Sequence, residues 1–418
     1  MAAPLAPLVL WLASAAVLDV DVGLRADALS TTADLALSQA DSQSALSVVP
    51  TVAGILEGAD VRLTGTYAPR LWTPDLEAGA GVQASHLVEA RIETLRPDRT
   101  WRLATTASAL RGKSDVLLDA SRSAALTGTT QVATTRALAR EELQAGLLGE
   151  VALDPRTTVG AGAGWRRSRV LGADSGLLPP QRGVSLDASV ARLLTERDTL
   201  RVSAHVAQTV TDGAGGPATR SDAGAALVTW RRRLALDLEG WVGGGPSLTY
   251  SEELASGGRY EVLPAAELGI TRRPDGPATR FEAAVRATTS VDRYTGSGSP
   301  SIEARLGVAW PSTERLTFSA AVAASSRTDG ETSIVWGDAR LAWAVRPTLA
   351  VEAGVLARSQ REHRADRASF EELAAFASVV YRRERLFGTA EAYVAPRTAP
   401  MGSASGEPTP PPEPASVR

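Results

Sequence analysis

The chain has 418 residues, a formal net charge of −3, 44% hydrophobic residues and 5% aromatic residues. The near balance of acids and bases gives no electrostatic bias toward nucleic acid, so we expect no nucleic-acid partner. The absence of cysteine excludes disulfide scaffolds, thiol nucleophiles, iron–sulfur clusters and cysteine-based zinc sites. The length suits two ordinary domains or one large all-β domain.

The chain begins with 18 residues that carry no charge, MAAPLAPLVLWLASAAVL. A short apolar core followed by small residues, here Ala13 to Ala16, is typical of a secretory signal peptide. We expect a signal peptide over 1–16 and export from the cytoplasm, with a transmembrane anchor as the alternative interpretation. Beyond Leu18, no uncharged window is long enough to form a transmembrane helix.

Residues from 17 onward alternate between apolar and polar, which is the period of a β-strand with two different faces. The first alternating segment carries its charges on one face: Asp19, Asp21, Arg25 and Asp27. Later segments carry further charges on the corresponding face: Glu267, Glu282, Arg286, Glu303, Arg305, Asp338, Arg340 and Glu352. Two segments, 136–150 and 363–376, are compatible with an amphipathic helix as well as with a strand. The alternation therefore predicts about 18 strands, with a range of 16 to 20.

The connections between these strands alternate in length. Short polar turns are predicted at 96–99, 154–156, 273–276, 311–314, 346–347 and 382–384. Longer Gly-, Ser-, Asp- and Pro-rich connections are predicted at 111–127, 171–182, 212–220, 245–259, 293–300 and 359–370. Short turns at one end and long loops at the other are typical of transmembrane β-barrels.

A barrel of this many strands is too wide to fill its interior with side chains, so the polar face is expected inside and the apolar face against lipid. The tryptophans near short turns and the tyrosines near long loops suit two interfacial belts: Trp101, Trp230, Trp310, Trp343, Tyr250, Tyr260 and Tyr294. The sequence thus predicts an all-β, antiparallel transmembrane β-barrel over 17–395 in the bacterial outer membrane, with outer-membrane lipids as partners. A flexible Pro-rich tail is predicted over 396–418.

The chain offers little material for catalysis. His86, His205 and His363 are far apart and have no second ligand at metal spacing, so we expect no metal site, no cofactor and no enzyme activity. A lipase triad that uses asparagine is excluded because the chain has none. An Asp–His site remains open, with Asp222 or Asp237 as the partner of His205.

The segment VVPTVAGILEGADVRLTGTYAPRLW (48–72) closes a strand with Tyr67, Pro69 and Arg70. Over 17–395 the chain resembles bacterial outer-membrane β-barrel proteins, and this segment resembles the opening hairpin of porin-like barrels found beside exopolysaccharide-export machinery. The resemblance implies a channel that translocates an exported polysaccharide, with the polysaccharide and a periplasmic export protein as partners.

Two functional hypotheses follow. In the first, the protein is a channel for polar solutes, most specifically for an exported polysaccharide, and the twelve charged residues named above line its pore. In the second, it is a structural or adhesive outer-membrane barrel with a filled lumen that presents loops to a partner. A soluble β-sandwich or solenoid is the third interpretation.

Overall fold

The structure, a computed structural model, describes residues 17–35, 38–57, 61–73, 81–94, 100–115, 137–172, 179–212, 218–253, 257–276, 278–291, 298–327, 332–362 and 369–383. These residues form eighteen strands: β1 (Val17–Leu35), β2 (Ser38–Glu57), β3 (Val61–Thr73), β4 (Gln83–Thr94), β5 (Trp101–Asp115), β6 (Ala137–Asp154), β7 (Thr157–Val170), β8 (Gln181–Leu193), β9 (Asp198–Thr211), β10 (Thr219–Ala235), β11 (Leu238–Glu253), β12 (Gly257–Arg272), β13 (Arg280–Val291), β14 (Gly298–Pro311), β15 (Leu316–Arg327), β16 (Thr332–Arg346), β17 (Leu349–Glu362) and β18 (Phe370–Arg383). The predicted signal peptide, a strand predicted over 385–395 and the predicted tail lie outside the described residues.

The strands form one closed antiparallel barrel. Each strand pairs with its neighbours in chain order, and β1 pairs with β18 from Val22–Arg383 to Leu35–Phe370. Closure leaves no strand edge unpaired at this join, which a bilayer requires because it offers no water to an exposed backbone group. The prediction of an antiparallel barrel of about 18 strands is confirmed.

Both ambiguous segments belong to the barrel wall. Most of 136–150 lies in β6, which pairs with β5 and β7, and the second half of 363–376 lies in β18, which pairs with β17 and β1. Helix-forming residues adopt the strand conformation here because a neighbouring strand on each side satisfies their backbone groups. Within the described residues, no helix has the length and hydropathy needed to cross a membrane.

The two ends of the barrel differ in their connections. We call the end that carries the turns between β6 and β7, β8 and β9, and β14 and β15 the short-turn end, and the opposite end the long-loop end. In two short turns a threonine hydroxyl accepts backbone N–H groups: Thr195 from Arg197 and Asp198, and Thr313 from Arg315 and Leu316. The long connection predicted at 245–259 is wrong, because β11 continues to Glu253 and β12 begins at Gly257.

The outward face of the barrel is apolar. Large apolar side chains are exposed along it, including Leu147, Leu186, Val206, Val285, Ile302, Leu306, Val322 and Val355. Four tryptophans are exposed on this face near the short-turn end: Trp101, Trp230, Trp310 and Trp343. Near the long-loop end, the Tyr250 and Tyr260 rings lie 4.4 Å apart between their centroids. An apolar band flanked by aromatic residues is the lipid-facing surface of a transmembrane barrel.

One join in the wall is shorter than the others. The β12–β13 ladder covers only Ala266–Arg272 of β12, so Gly257–Ala265 has no partner on β13, although it stays paired with β11. Pro264 lies in this unpaired stretch and has no N–H to donate. Tyr260 and Val262 are each 70% exposed, the highest values among the tyrosines and valines of the outward face. The wall is therefore partly split between β12 and β13 at the long-loop end.

Candidate functional site

The inward face of the barrel is the candidate site. Strand parity places all twelve predicted residues on it, because each alternates with an exposed apolar residue of the same strand. They come from five regions of the wall: β1 (Asp19, Asp21, Arg25, Asp27), β12 (Glu267), β13 and β14 (Glu282, Arg286, Glu303, Arg305), β16 (Asp338, Arg340) and β17 (Glu352). Their role as a pore lining remains a prediction.

A hydrogen-bonded network joins the first and last strands across the inward face. Arg25 contacts Asp27 at 2.5 Å and Glu352 at 3.0 Å, and it donates to the Ser378 hydroxyl at 2.9 Å. Asp27 is buried and also accepts from the Ser47 and Ser378 hydroxyls at 2.9 and 2.7 Å. We call these five residues the Arg25 network. It links β1, β2, β17 and β18 at the join where the barrel closes.

A second charged group lies on β12, β13 and β14. Arg286 is directly across from Glu267 on one side and from Glu303 on the other. The Thr229 hydroxyl donates to Glu267 at 2.5 Å. Arg305 lies 2.6 Å from Glu282, so the two form an ion pair on the inward face. On β16, Asp338 and Arg340 contact one another in the same way.

The predicted set omits a charged cluster at the short-turn end. Glu93 on β4 contacts three arginines, Arg91 at 2.7 Å, Arg62 at 3.6 Å and Arg102 at 3.7 Å. Arg62 also contacts Glu57 at 2.9 Å. The alternation in the segment Val88–Thr94 carries the signal for this cluster, since Glu89, Arg91 and Glu93 share one face. We call Glu57, Arg62, Arg91, Glu93 and Arg102 the Glu93 cluster.

Burial divides the inward face into two halves. Toward the short turns, five charged side chains of the inward face are each 39% to 46% exposed: Glu57, Arg62, Arg91, Arg102 and Arg305. Glu93, in the same region, is only 14% exposed. In the long-loop half, a group of inward side chains is buried and includes charged, polar and aromatic residues: Arg70, Trp72, Arg327, Trp336, Arg358, Gln360 and Glu372. The inward face is therefore more open to water toward the short turns, and we call the half that holds this buried group the closed half.

Part of the closed half is apolar. Trp336 belongs to a buried cluster with Ala45, Leu356 and Ala374, and Phe376 packs against that cluster. The Arg340 guanidinium lies 5.7 Å from the centre of the Phe376 ring. The inward face is thus not uniformly polar, which alternation alone does not reveal, since these residues lie on the same face as the charges.

The histidines are placed differently from the prediction. His205 Nδ1 lies 2.6 Å from Asp187 Oδ1, so its partner is neither Asp222 nor Asp237. Asp222 instead accepts from Gln208 and Arg220, and Asp237 accepts from Arg272.

His86 lies on the outward face, where its ring stacks on Tyr67 and its Nδ1 is 2.9 Å from the Tyr67 hydroxyl, and His363 lies outside the described residues. In the part of the chain that the structure describes, no three His, Asp or Glu residues are grouped to hold a metal ion.

Comparison with solved structures finds barrels of similar architecture. The FrpB iron transporter from Neisseria meningitidis (F3-3 variant) has a TM-score of 0.48 at 8% identity over 83% of this chain, and this chain spans 63% of its length. OccK9 (OpdG) of Pseudomonas aeruginosa has a TM-score of 0.46 at 14% identity, over 88% of this chain and 98% of its own. OpdO of the same organism has a TM-score of 0.44 at 13% identity, over 88% and 97%. No family model and no curated protein matches the chain.

The strand pairings carry the assignment of class, since TM-scores below 0.5 add nothing to it. A closed antiparallel barrel of eighteen strands with an apolar outward face is stable only where lipid surrounds it. The protein is a transmembrane β-barrel.

Proposed function

We propose that the protein is a gated channel for polar solutes across the outer membrane. The observation that carries the proposal is the water-exposed half of the inward face, where acids and bases of the Glu93 cluster alternate around the wall. A wall of mixed sign solvates polar solutes of either charge and holds none of them tightly. The buried long-loop half is the gate in this proposal, since solutes pass only when its side chains separate.

An exported polysaccharide is the specific solute that we propose. Sugar hydroxyls exchange hydrogen bonds readily with Asp, Glu, Arg, Ser and Thr side chains, which make up much of the inward face. The close pairing of charges, as in Arg305 with Glu282 and Arg25 with Glu352, leaves no strong single-sign field to trap a charged polymer. A periplasmic export protein would then deliver the polymer to the short-turn end.

A filled structural or adhesive barrel is the second candidate. The observation that favours it is the burial of Trp72, Trp336 and Arg358 on the inward face. If the long-loop half never opens, the barrel conducts nothing and serves to present its loops to a partner. Only the first candidate conducts, so a measurement of conductance separates the two.

The test is single-channel conductance of the purified full chain in planar bilayers. We expect discrete openings with weak selectivity between anions and cations. A second preparation lacks 396–418 and has the connection 116–136 shortened, which removes the longest segment between strands. Silence in both preparations would contradict the channel and support the filled barrel.

A cellular experiment tests the solute. Deleting the gene should block the appearance of an exported polymer at the cell surface while its synthesis continues. If the purified protein conducts but the deletion strain exports the polymer as well as the parent does, the proposal of a polysaccharide as the solute is contradicted. The proposal of a general channel for polar solutes is then unaffected.

A further inference from the structure

Five cations share the outward face of three strands at the long-loop end: Arg111 and Lys113 on β5, Arg167 and Arg169 on β7, and Arg182 on β8. Their parity is that of exposed lipid-facing residues such as Trp101, Trp165 and Val184 on the same strands. We call these five residues the outer arginine patch. It lies directly beyond the apolar band, at the level where lipid headgroups begin.

One acid organises part of the patch. Glu141 on β6 is almost fully buried and contacts Arg169 at 2.8 Å, and Arg111 lies directly across from it on the other neighbouring strand. Glu141 makes its ion pair with Arg169, and its single negative charge also attracts Arg111 and Arg167, so it offsets only part of the positive charge of the patch. Arg111, Arg167 and Arg182 make no ion pair with any residue that the structure describes.

Two of these arginines repel one another when no anion is bound between them. Arg167 and Arg182 are directly opposite one another on adjacent strands and face the same way. Directly opposed residues have Cβ atoms about 5 Å apart, and like charges in that position destabilise the sheet. An anion bound between the two guanidinium groups would remove the repulsion and replace it with charge-assisted hydrogen bonds.

We propose that the outer arginine patch binds the phosphate headgroup of an anionic lipid. Guanidinium groups match the oxygen geometry of phosphate, and the patch supplies three of them that make no direct ion pair with a described residue. The apolar surface directly below, formed by Trp165, Val184 and Leu186, accommodates the acyl chains of the same molecule. That continuity favours a lipid over free phosphate.

The other arginines at this rim are paired. Arg220 contacts Asp222 at 2.9 Å, and Arg361 on the opposite wall contacts Glu371 at 3.6 Å. Both pairs lie on the outward face at the long-loop end, as the patch does. They provide a matched control, because neutralising them removes positive charge from the same rim without touching the patch.

The test is native mass spectrometry of the full chain in detergent with phosphatidic acid or phosphatidylcholine added. We expect the parent to prefer phosphatidic acid. The triple variant Arg111→Gln, Arg167→Gln, Arg182→Gln should bind it at least about tenfold more weakly, since each arginine near a charged headgroup contributes on that scale. The control Arg220→Gln, Arg361→Gln should bind as the parent does, and inorganic phosphate should not displace the lipid.

A second variant keeps the proposal testable if the triple variant folds poorly. Arg182→Gln alone removes the like-charge pair, so the lipid-free barrel should unfold at a higher temperature than the parent, while phosphatidic acid should stabilise it less. Equal binding by parent and triple variant, equal loss in the control, or displacement of the lipid by inorganic phosphate would each overturn the proposal.

Discussion

Asp27 is a buried carboxylate that accepts hydrogen bonds from an arginine and two serine hydroxyls. Its removal therefore leaves three donors on the inward face without this acceptor. Breaking a buried charge pair of this kind typically costs about 3–5 kcal/mol. We predict that Asp27→Ala lowers the unfolding temperature of the barrel, measured by heat-modifiable mobility in SDS gels. Glu57→Ala is the matched control, because Glu57 also pairs with an arginine but is 46% exposed, and such pairs are worth about 1 kcal/mol or less. Equal losses in both variants would contradict the role of the Arg25 network.

Arg305 offers a test of charge on the inward face. Arg305→Glu should shift the selectivity of the channel toward cations, measured as a reversal potential across a salt gradient. Glu282 lies 2.6 Å from Arg305, so the variant places two carboxylates together and should also lose stability. The swapped pair, Arg305→Glu with Glu282→Arg, restores the ion pair, and it should recover both stability and selectivity. If the channel with the swapped pair remains cation-selective, selectivity depends on the position of each charge rather than on the net charge of the two residues.

Alternation in the sequence predicts which face a residue occupies but not which residue it meets. Arg305 and Glu282 were both placed inward, yet their contact depends on the β13–β14 register. His205 shows the same limit, because its partner Asp187 is fixed by the β8–β9 register rather than by a motif. The same argument applies to part of the Glu93 cluster, since Arg91 and Glu93 alternate with Val88, Ala90 and Ile92.

At the level of the strand, β14 provides adjacent positions on opposite faces. Leu306 is 57% exposed on the outward face, whereas Gly307 faces inward, lies across from Glu282 and has open space where a Cβ would be added. Leu306→Arg should cost about 2–4 kcal/mol near the membrane midplane and impair assembly. Gly307→Arg should assemble normally, because its charge meets water and a carboxylate. Equal assembly of the two variants, measured by folded-band yield, would reverse the assignment of the faces.

The strands themselves were largely predictable, and the exceptions have physical causes. Segment 136–150 has helical propensity, but pairing with β5 and β7 decides its conformation, and pairing partners are not visible in a local pattern. The stretch 245–259 is rich in Gly and Ser, yet most of it is strand because β11 and β12 pair almost to their connection. Small residues indicate a loop only where no neighbouring strand is present.

The division of the barrel into an open and a closed half is a property of the whole molecule. Arg62 and Arg358 both alternate with apolar residues, yet one is exposed and the other buried. The difference in their exposure depends on which side chains lie across the barrel interior, and the sequence of a single strand does not show this. The sequence therefore predicted the barrel and its faces, but not the closed half on which the proposed gate depends.

Trp336 lies in the closed half and fills part of the interior with its indole ring. We predict that Trp336→Ala raises single-channel conductance, because it removes a large side chain from the proposed gate, at a cost in stability of about 3–5 kcal/mol. Trp343→Ala is the control on the same strand, since Trp343 is exposed on the outward face. It should leave conductance unchanged. An unaltered conductance in Trp336→Ala would place the gate elsewhere.

The short β12–β13 ladder gives the barrel a fixed point of local opening. Amide protons on Gly258–Leu263 that point toward β13 have no ladder partner there, whereas alternate ones are bonded to β11. Hydrogen exchange measured by NMR should therefore alternate fast and slow along this stretch, and exchange should be uniformly slow along Gly23–Ala33 of β1, which is paired on both sides. The join between the two terminal strands is then more firmly held than the join between β12 and β13. Thermal opening of the wall would therefore begin between β12 and β13 rather than at the join between the chain's first and last strands.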